Sequence, residues 1–187
     1  MTLDQTYLDL SDLKRSAKKR LPKFVWEYLD SGTGQEHTKA RNRRSLDNVL
    51  LKPSILHGEI PTDLTTRFLG NDYVLPVGMA PVGMSGLIWP QAEHHLAKAA
   101  AEIGIPFCLS TVASQTPEAI GKHLNGNGWF QLYPPRDPDI RKDLLKRAMD
   151  NGFSTLVLTV DVPVASRRER QTRSGLTQPP KFTPRLL

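Results

Sequence analysis

The spacing of apolar positions changes character at about residue 70. Between residues 8 and 31, Leu10, Leu13, Ala17, Leu21, Phe24, Val25, Tyr28 and Leu29 recur with lysines and arginines between them. That is the period of an amphipathic helix. Ser11 can cap one helix start, Pro22 suits the first turn of a second, and Ser31-Gly32 would end it. A further helix is predicted over 39–49. The stretch 50–66, broken by Pro53, Gly58 and Pro61, reads as extended segments and turns. Beyond it the pattern becomes four short apolar runs, 74–80, 106–110, 129–133 and 155–161, each ending in polar or turn residues. Helical stretches predicted over 91–103, 117–124 and 139–149 follow the first three. Gly104 and Gly152 serve as stops and Thr116 as an N-cap.

Repeated β-α units of about 25 to 30 residues are the cadence of a parallel α/β barrel, which closes with eight units and about 250 residues. Only four strand-like runs are present in 187 residues. The expected fold class is α/β, the N-terminal half of a (β/α)8 TIM barrel preceded by a helical N-terminal segment. Residues 1–70 are expected to form a helical and extended segment packing on the barrel. Residues 71–162 would hold its first four strands and three helices, and 163–187 the start of the long loop after the fourth strand. On this reading the chain is the first half of an enzyme.

Composition narrows the function classes. Apolar residues make up 39% and charged residues 24%, which is globular rather than disordered. The lone Cys108 sits inside an apolar run, so a buried structural thiol is expected. No Cys/His spacing resembles a zinc site. The first ten residues carry two Asp and no basic residue, unlike a secretory signal. Pro76, Pro81 and Pro90 break the most apolar stretch too often for a membrane-crossing helix. The expected location is cytoplasmic, with peripheral attachment to the inner membrane as a variant. Of the net charge of +6, +5 comes from 163–187, where six Lys/Arg face only Glu169. No aromatic residues interleave with that cluster and no nucleic-acid motif accompanies it, so nucleic acid is not an expected partner.

Barrel chemistry gathers at the C-terminal ends of the strands. That rule selects Ser110, Thr111, Gln131, Tyr133, Thr159 and Asp161. None is a strong nucleophile or base alone; all are hydrogen-bonding groups suited to the edge of a heteroaromatic ring. Any one of them could merely satisfy loop backbone, but their coincidence across three strands favours a ligand. Arg167-Arg168-Glu169-Arg170 follows the fourth run. An arginine there can grip a carboxylate with two parallel hydrogen bonds, although a charge run by itself is often only a solvated loop. His37, His57, His94, His95 and His123 offer no evident base, and His94 and His95 fall on a helix outside the barrel. Ser31-Gly32-Thr33-Gly34 completes no GxGxxG pattern and is set aside.

Taken together, these residues resemble the FMN-dependent α-hydroxy-acid oxidases and dehydrogenases, among them glycolate oxidase, flavin-type L-lactate dehydrogenase and mandelate dehydrogenase. The resemblance runs from about Lys14 to the end of the chain. It rests on Leu21-Pro22-Lys23, Tyr28 to Gly32, Asn42-Arg43, Met79-Ala80-Pro81, Leu109-Ser110-Thr111, Phe130-Gln131-Leu132-Tyr133, Leu158-Thr159-Val160-Asp161-Val162-Pro163 and Arg167-Arg168-Glu169-Arg170, in that order.

The resemblance implies FMN as cofactor and a small 2-hydroxy acid as substrate. It implies that Ala80, Pro81 and Val82 meet the flavin ring through their backbone, and that Ser110, Gln131 and Thr159 hydrogen-bond FMN. Arg168, rather than Arg167, would bind the substrate carboxylate with help from Tyr28, while Tyr133 would lie near the substrate hydroxyl. The family's catalytic histidine lies in a Ser-Asn-His-Gly-Gly sequence that these 187 residues do not contain. The second substrate arginine, a lysine beside the flavin and the phosphate site of the late strands are missing as well, so this piece is expected to be inactive. The resemblance further implies a homo-oligomer for the full-length enzyme; it leaves the electron acceptor open among oxygen, a quinone and a cytochrome, with a quinone as the membrane-peripheral variant. An FMN-dependent isopentenyl diphosphate isomerase-like barrel is one alternative, though a diphosphate would leave the Tyr28 and Arg168 pair unexplained. A non-catalytic half-barrel acting as an interaction module is another.

Overall fold

The computed structural model describes residues 3–56, 58–59, 61–160 and 166–176. In chain order the elements are α1 (Leu3–Thr6), α2 (Leu10–Arg20), α3 (Lys23–Asp30), α4 (His37–Asp47), β1 (Thr66–Phe68), β2 (Asn71–Tyr73) and α5 (Ser85–Ile88). They continue as α6 (Ala92–Ile103), β3 (Phe107–Ser110), α7 (Pro117–Gly121), β4 (Gly128–Leu132), α8 (Pro138–Asp150), β5 (Phe153–Leu158) and α9 (Glu169–Arg173). Two compact units emerge, one drawn from Met1–Pro53 with Val164–Leu187 and the other from Ser54–Pro163.

In the first unit the start of α2 is set by Asp9 rather than Ser11. The Asp9 side chain accepts the Asp12 N–H and the Asp12 carboxylate accepts the Asp9 N–H. Such a reciprocal capping box satisfies donors that the helix itself cannot. Pro22 and Ser31 bracket α3 as expected. This helix buries Val25 and Trp26, and the ammonium groups of Lys14 and Lys18 lie 5.9 and 6.0 Å from the Trp26 ring centroid.

The second unit is built on a parallel sheet ordered β3-β4-β5, with Cys108 paired to Trp129 and Gln131 to Val157. Side chains alternate between its faces. One face carries Phe107, Leu109, Phe130 and Leu132, which pack with Ala97, Ala100, Ile120 and Ala148 of the helices into one core. Thr116 caps α7 through the Ala119 N–H, and Gly104, in the left-handed region at φ +82°, ends α6. Leu156 and Leu158 share the helix-facing side at the β5 edge, yet remain 51% and 52% exposed.

The run 74–80 contributes less than a strand. Only Met79 bridges to Phe107, with Met79 N–H donating to Pro106 O and Cys108 N–H to Met79 O. Pro76 has no N–H to offer a ladder, and Tyr73 is already spent in the antiparallel β1–β2 hairpin. That hairpin falls in the second unit, where Phe68 and Tyr73 pack against Trp129 and the Tyr73 hydroxyl accepts the indole N–H at 3.1 Å.

Candidate active site

The strand ends of the second unit carry a connected polar set. Ser110, Gln131 and Thr159 alternate onto the sheet face opposite the helices. The Ser110 hydroxyl donates to Gln131 Oε1 at 3.0 Å, and Gln131 Nε2 donates to Thr159 Oγ1 at 2.7 Å. Ser110 and Gln131 are buried, 5% and 3% exposed. The Thr111 N–H also donates to Gln131 Oε1, and the Val112 N–H to Ser110 Oγ. Burial without such partners would cost each group on the order of 1 to 3 kcal/mol. Among the described residues no hydrogen bond uses the second amide hydrogen of Gln131 or the Thr159 hydroxyl hydrogen, so both can serve a ligand.

Thr111 serves this set structurally. Its hydroxyl donates to the Gln131 carbonyl and accepts the Tyr133 N–H at 3.1 Å. Tyr133 leaves the end of β4 with 41% of its surface exposed. Ala80, Pro81 and Val82 are exposed residues. Asp161 lies outside the described residues. Below the polar set an apolar cavity of about 400 Å³ is lined by Met79, Ala80, Pro81, Cys108, Trp129 and Val157 among others. Burial pushes the Cys108 thiol up to about 12, which leaves it a protonated packing group.

The contacts of Arg168 lie in the first unit. Arg168 Nη2 donates to Tyr28 O at 3.0 Å and to Ser31 O at 2.6 Å, and its guanidinium lies 5.7 Å from the Tyr28 ring centroid. Tyr28 and Arg168, which the resemblance pairs, lie together, and one guanidinium nitrogen is committed to main-chain carbonyls. Among the described residues the Nε and Nη1 N–H groups have no hydrogen-bond partner, and a guanidinium edge of that kind suits a carboxylate.

Two residues on, Arg170 meets Glu27 at 2.6 Å, Glu36 at 2.8 Å and Asp30 at 3.2 Å. These three acids were not singled out from the sequence, and only the spacing of Glu27 and Asp30 along one helix hinted at them. Burial raises the Asp30 pKa, but hydrogen bonds from Lys14 and Arg170 outweigh it and hold the carboxyl below its usual range. Glu36 is lowered by the Gly32 N–H and by Arg170.

The model of the FMN-dependent dehydrogenase family matches residues 17–187. The chain belongs to that family. An L-lactate dehydrogenase of Ectopseudomonas mendocina is 40% identical over 169 residues, covering 90% of this chain and 45% of that protein. One from Caulobacter vibrioides is 39% identical over 177 residues, covering 95% and 46%. Among solved structures, a mandelate oxidase superposes with a TM-score of 0.85 at 36% identity, covering 91% of this chain and 51% of the other. The chain therefore spans about half the length of the relatives it matches and folds as a partial α/β barrel. FMN is the family's cofactor. The residues present fit its ring: Ser110, Gln131 and Thr159 form a buried, uncharged donor–acceptor set on one face, beside the exposed residues Ala80–Val82, which suits a neutral heteroaromatic edge.

Proposed function

We propose that this chain supplies the flavin-ring and carboxylate-binding part of an enzyme that oxidises an L-2-hydroxy acid, lactate-like in size, to the 2-oxo acid. The observation that carries this reading is the Ser110–Gln131–Thr159 string, which presents neutral donors from three strand ends. FMN, when bound, would supply the two-electron acceptor. Ser110, Gln131, Thr159 and the Ala80–Val82 backbone would hold its ring. Tyr28 and Arg168 would hold the substrate carboxylate, and Tyr133 would hydrogen-bond the substrate oxygen. Anchoring the carboxylate removes orientational freedom before reaction, a large part of what an active site contributes. The proton from the hydroxyl needs a base, and the family's Ser-Asn-His-Gly-Gly sequence is not among these 187 residues. The electron acceptor, a homo-oligomeric full-length enzyme and a cytoplasmic or inner-membrane-peripheral location belong to the same proposal; among the described residues no helix is long and apolar enough to cross a membrane.

The 187-residue chain, assayed with L-lactate, glycolate and L-mandelate plus excess FMN, is expected to show no turnover, since a general base typically contributes about 10²- to 10⁴-fold. In a polypeptide extended to full barrel length, Arg168→Lys is expected to lower kcat/KM by roughly 10- to 150-fold while FMN is retained. Loss of flavin with an unchanged KM would contradict the carboxylate assignment. A second reading, a non-catalytic interaction module, draws on the half-exposed Leu156 and Leu158 at the β5 edge; it has no use for FMN, so flavin binding separates the two.

A further inference from the structure

The most deeply buried charged side chain of the barrel unit plays no part in the reading above. Glu93 is 1% exposed and stands at the second position of α6, where the helix dipole favours an anion. A carboxylate taken out of water is costly unless donors replace its hydration. Here Oε1 accepts the Ser114 N–H at 2.8 Å. Oε2 is buried with no partner at hydrogen-bond distance among the described residues, with the Ser85 hydroxyl donating instead to Val82 O at 3.4 Å. Burial alone would push the Glu93 pKa up, but the surrounding donors, the Ser114 N–H first, outweigh it and the net direction is down. The group is therefore an ionised carboxylate serving loop backbone.

The loops it serves are the two that lead away from the flavin contacts. Residues 82–88 follow Ala80-Pro81-Val82, and residues 111–115 follow Ser110. They are laced to each other: Met84 N–H donates to Val112 O at 2.8 Å and Gly86 N–H to Ser114 Oγ at 3.1 Å. The fit is tight enough that a Cβ on Gly86 would lie 2.6 Å from Ser114 Oγ. Met84 adopts a left-handed backbone at φ +52°, a conformation that a non-glycine residue holds only when its surroundings impose it. Glu93 reaches both sides of this seam from α6: Oε1 takes the Ser114 N–H, and a Cβ on Gly86 would lie 3.7 Å from Oε2.

We propose that Glu93 is a positioning residue for flavin binding: its buried carboxylate locks the 82–88 and 111–115 loops together, and so fixes the Ala80–Val82 backbone and Ser110 in the arrangement that receives the ring. This rests on the flavin reading of those residues, but assigns Glu93 a role that touches neither cofactor nor substrate.

Glu93→Gln keeps the shape and removes the charge, and Ser114→Ala removes only the hydroxyl that receives Gly86 while leaving the Ser114 N–H on Glu93. The wild-type chain and both variants are followed by hydrogen-exchange mass spectrometry without flavin and by FMN fluorescence titration. Glu93→Gln is expected to speed exchange in 82–88 and 111–115 with 128–150 unchanged, and to weaken FMN by roughly 10-fold, because a neutral amide oxygen replaces the charged acceptor of the Ser114 N–H. Ser114→Ala is expected to do the same more weakly, by about 2- to 10-fold. If wild type binds no FMN, the flavin reading itself fails, and the exchange data still report on the loops. If wild type binds and Glu93→Gln loosens the loops without changing FMN affinity, or changes neither, the positioning role is overturned. If Glu93→Gln loses its fold throughout, Ser114→Ala decides by the same two readouts.

Discussion

Around α3 and α9 one guanidinium meets three carboxylates; around β3, β4 and β5 a continuous apolar cluster excludes water from Leu109, Ile120 and Phe130. Among the described residues of the first unit the buried apolar side chains are Val25, Trp26 and Leu176, and ion pairs around Arg170 supply much of its order. The second is ordered by packing, and its polar residues form a neutral string at the strand ends. The division matches the two chemistries proposed for the site. A carboxylate is best held by a cation whose own position is fixed, as Arg168 is by the Tyr28 and Ser31 carbonyls, two residues from the ion cluster of Arg170. A flavin ring is best met by uncharged donors on a stiff sheet, where a misplaced group cannot relax.

The contrast can be broken most severely from the packed side. Leu109→Ala is expected to destabilise the barrel unit by about 2 to 5 kcal/mol, because the cavity cannot collapse between sheet and helices. Urea unfolding read by hydrogen exchange should show the loss in 105–158 while 23–47 is much less affected. Equal loss in both regions would mean that the two units share one cooperative core.

Arg170→Met attacks the ionic side. The Arg170 side chain keeps 35% of its surface exposed, so solvent screens part of the interaction. The expected cost is roughly 1 to 2 kcal/mol, well short of a fully buried pair. Salt should mimic it: at about 1 M, where the Debye length is ~3 Å, the first unit loses stability and the apolar cluster does not. Acid acts in the same direction. Asp30 and Glu36 have folded pKa values below their unfolded values of 3.8 and 4.5. Their contribution is complete above those values and is lost as pH falls through the depressed folded ones. Glu93 carries the same sign in the barrel unit, but its apolar core does not titrate, so 23–47 should lose exchange protection first as pH drops below about 4.5. Simultaneous loss would contradict the contrast.

The smallest effect sharpens the neutral string. Thr159→Ala removes one uncharged partner of Gln131 and should weaken flavin binding by about 2- to 10-fold with little change in melting temperature. A change as large as that of Leu109→Ala would make Thr159 a packing residue instead.

Much of the second unit was legible because its signals are local. Thr116 before Pro117 and Gly104 after α6 mark helix ends by their own chemistry, and their place at the C-terminal ends of apolar runs marked Ser110, Gln131 and Thr159. The run 74–80 misled because apolar content alone does not separate a paired strand from an extended segment, and Pro76 decides against pairing. The β1–β2 hairpin escaped notice because its two-residue turn is Leu69-Gly70, both at positive φ. Asn-Gly or Asp-Gly would have announced such a turn, and leucine there hides it. Glu93 and the acids around Arg170 were illegible for a different reason. A glutamate in a first helical turn looks like an exposed dipole partner, and only tertiary packing makes it a buried anchor.

The most direct trial is a flavin titration of the 187-residue chain and its Gln131→Leu variant, with FMN and riboflavin in parallel. Because the polar string reads the ring, and the phosphate residues implied by the family resemblance are not among these positions, wild type should quench both flavins with nearly equal affinity. Gln131→Leu, which leaves Ser110 and Thr159 without their shared partner, should weaken both by roughly 10- to 100-fold. No quenching by wild type, or undiminished binding by Gln131→Leu with its fold intact, would contradict the assignment of these strand ends to the flavin ring.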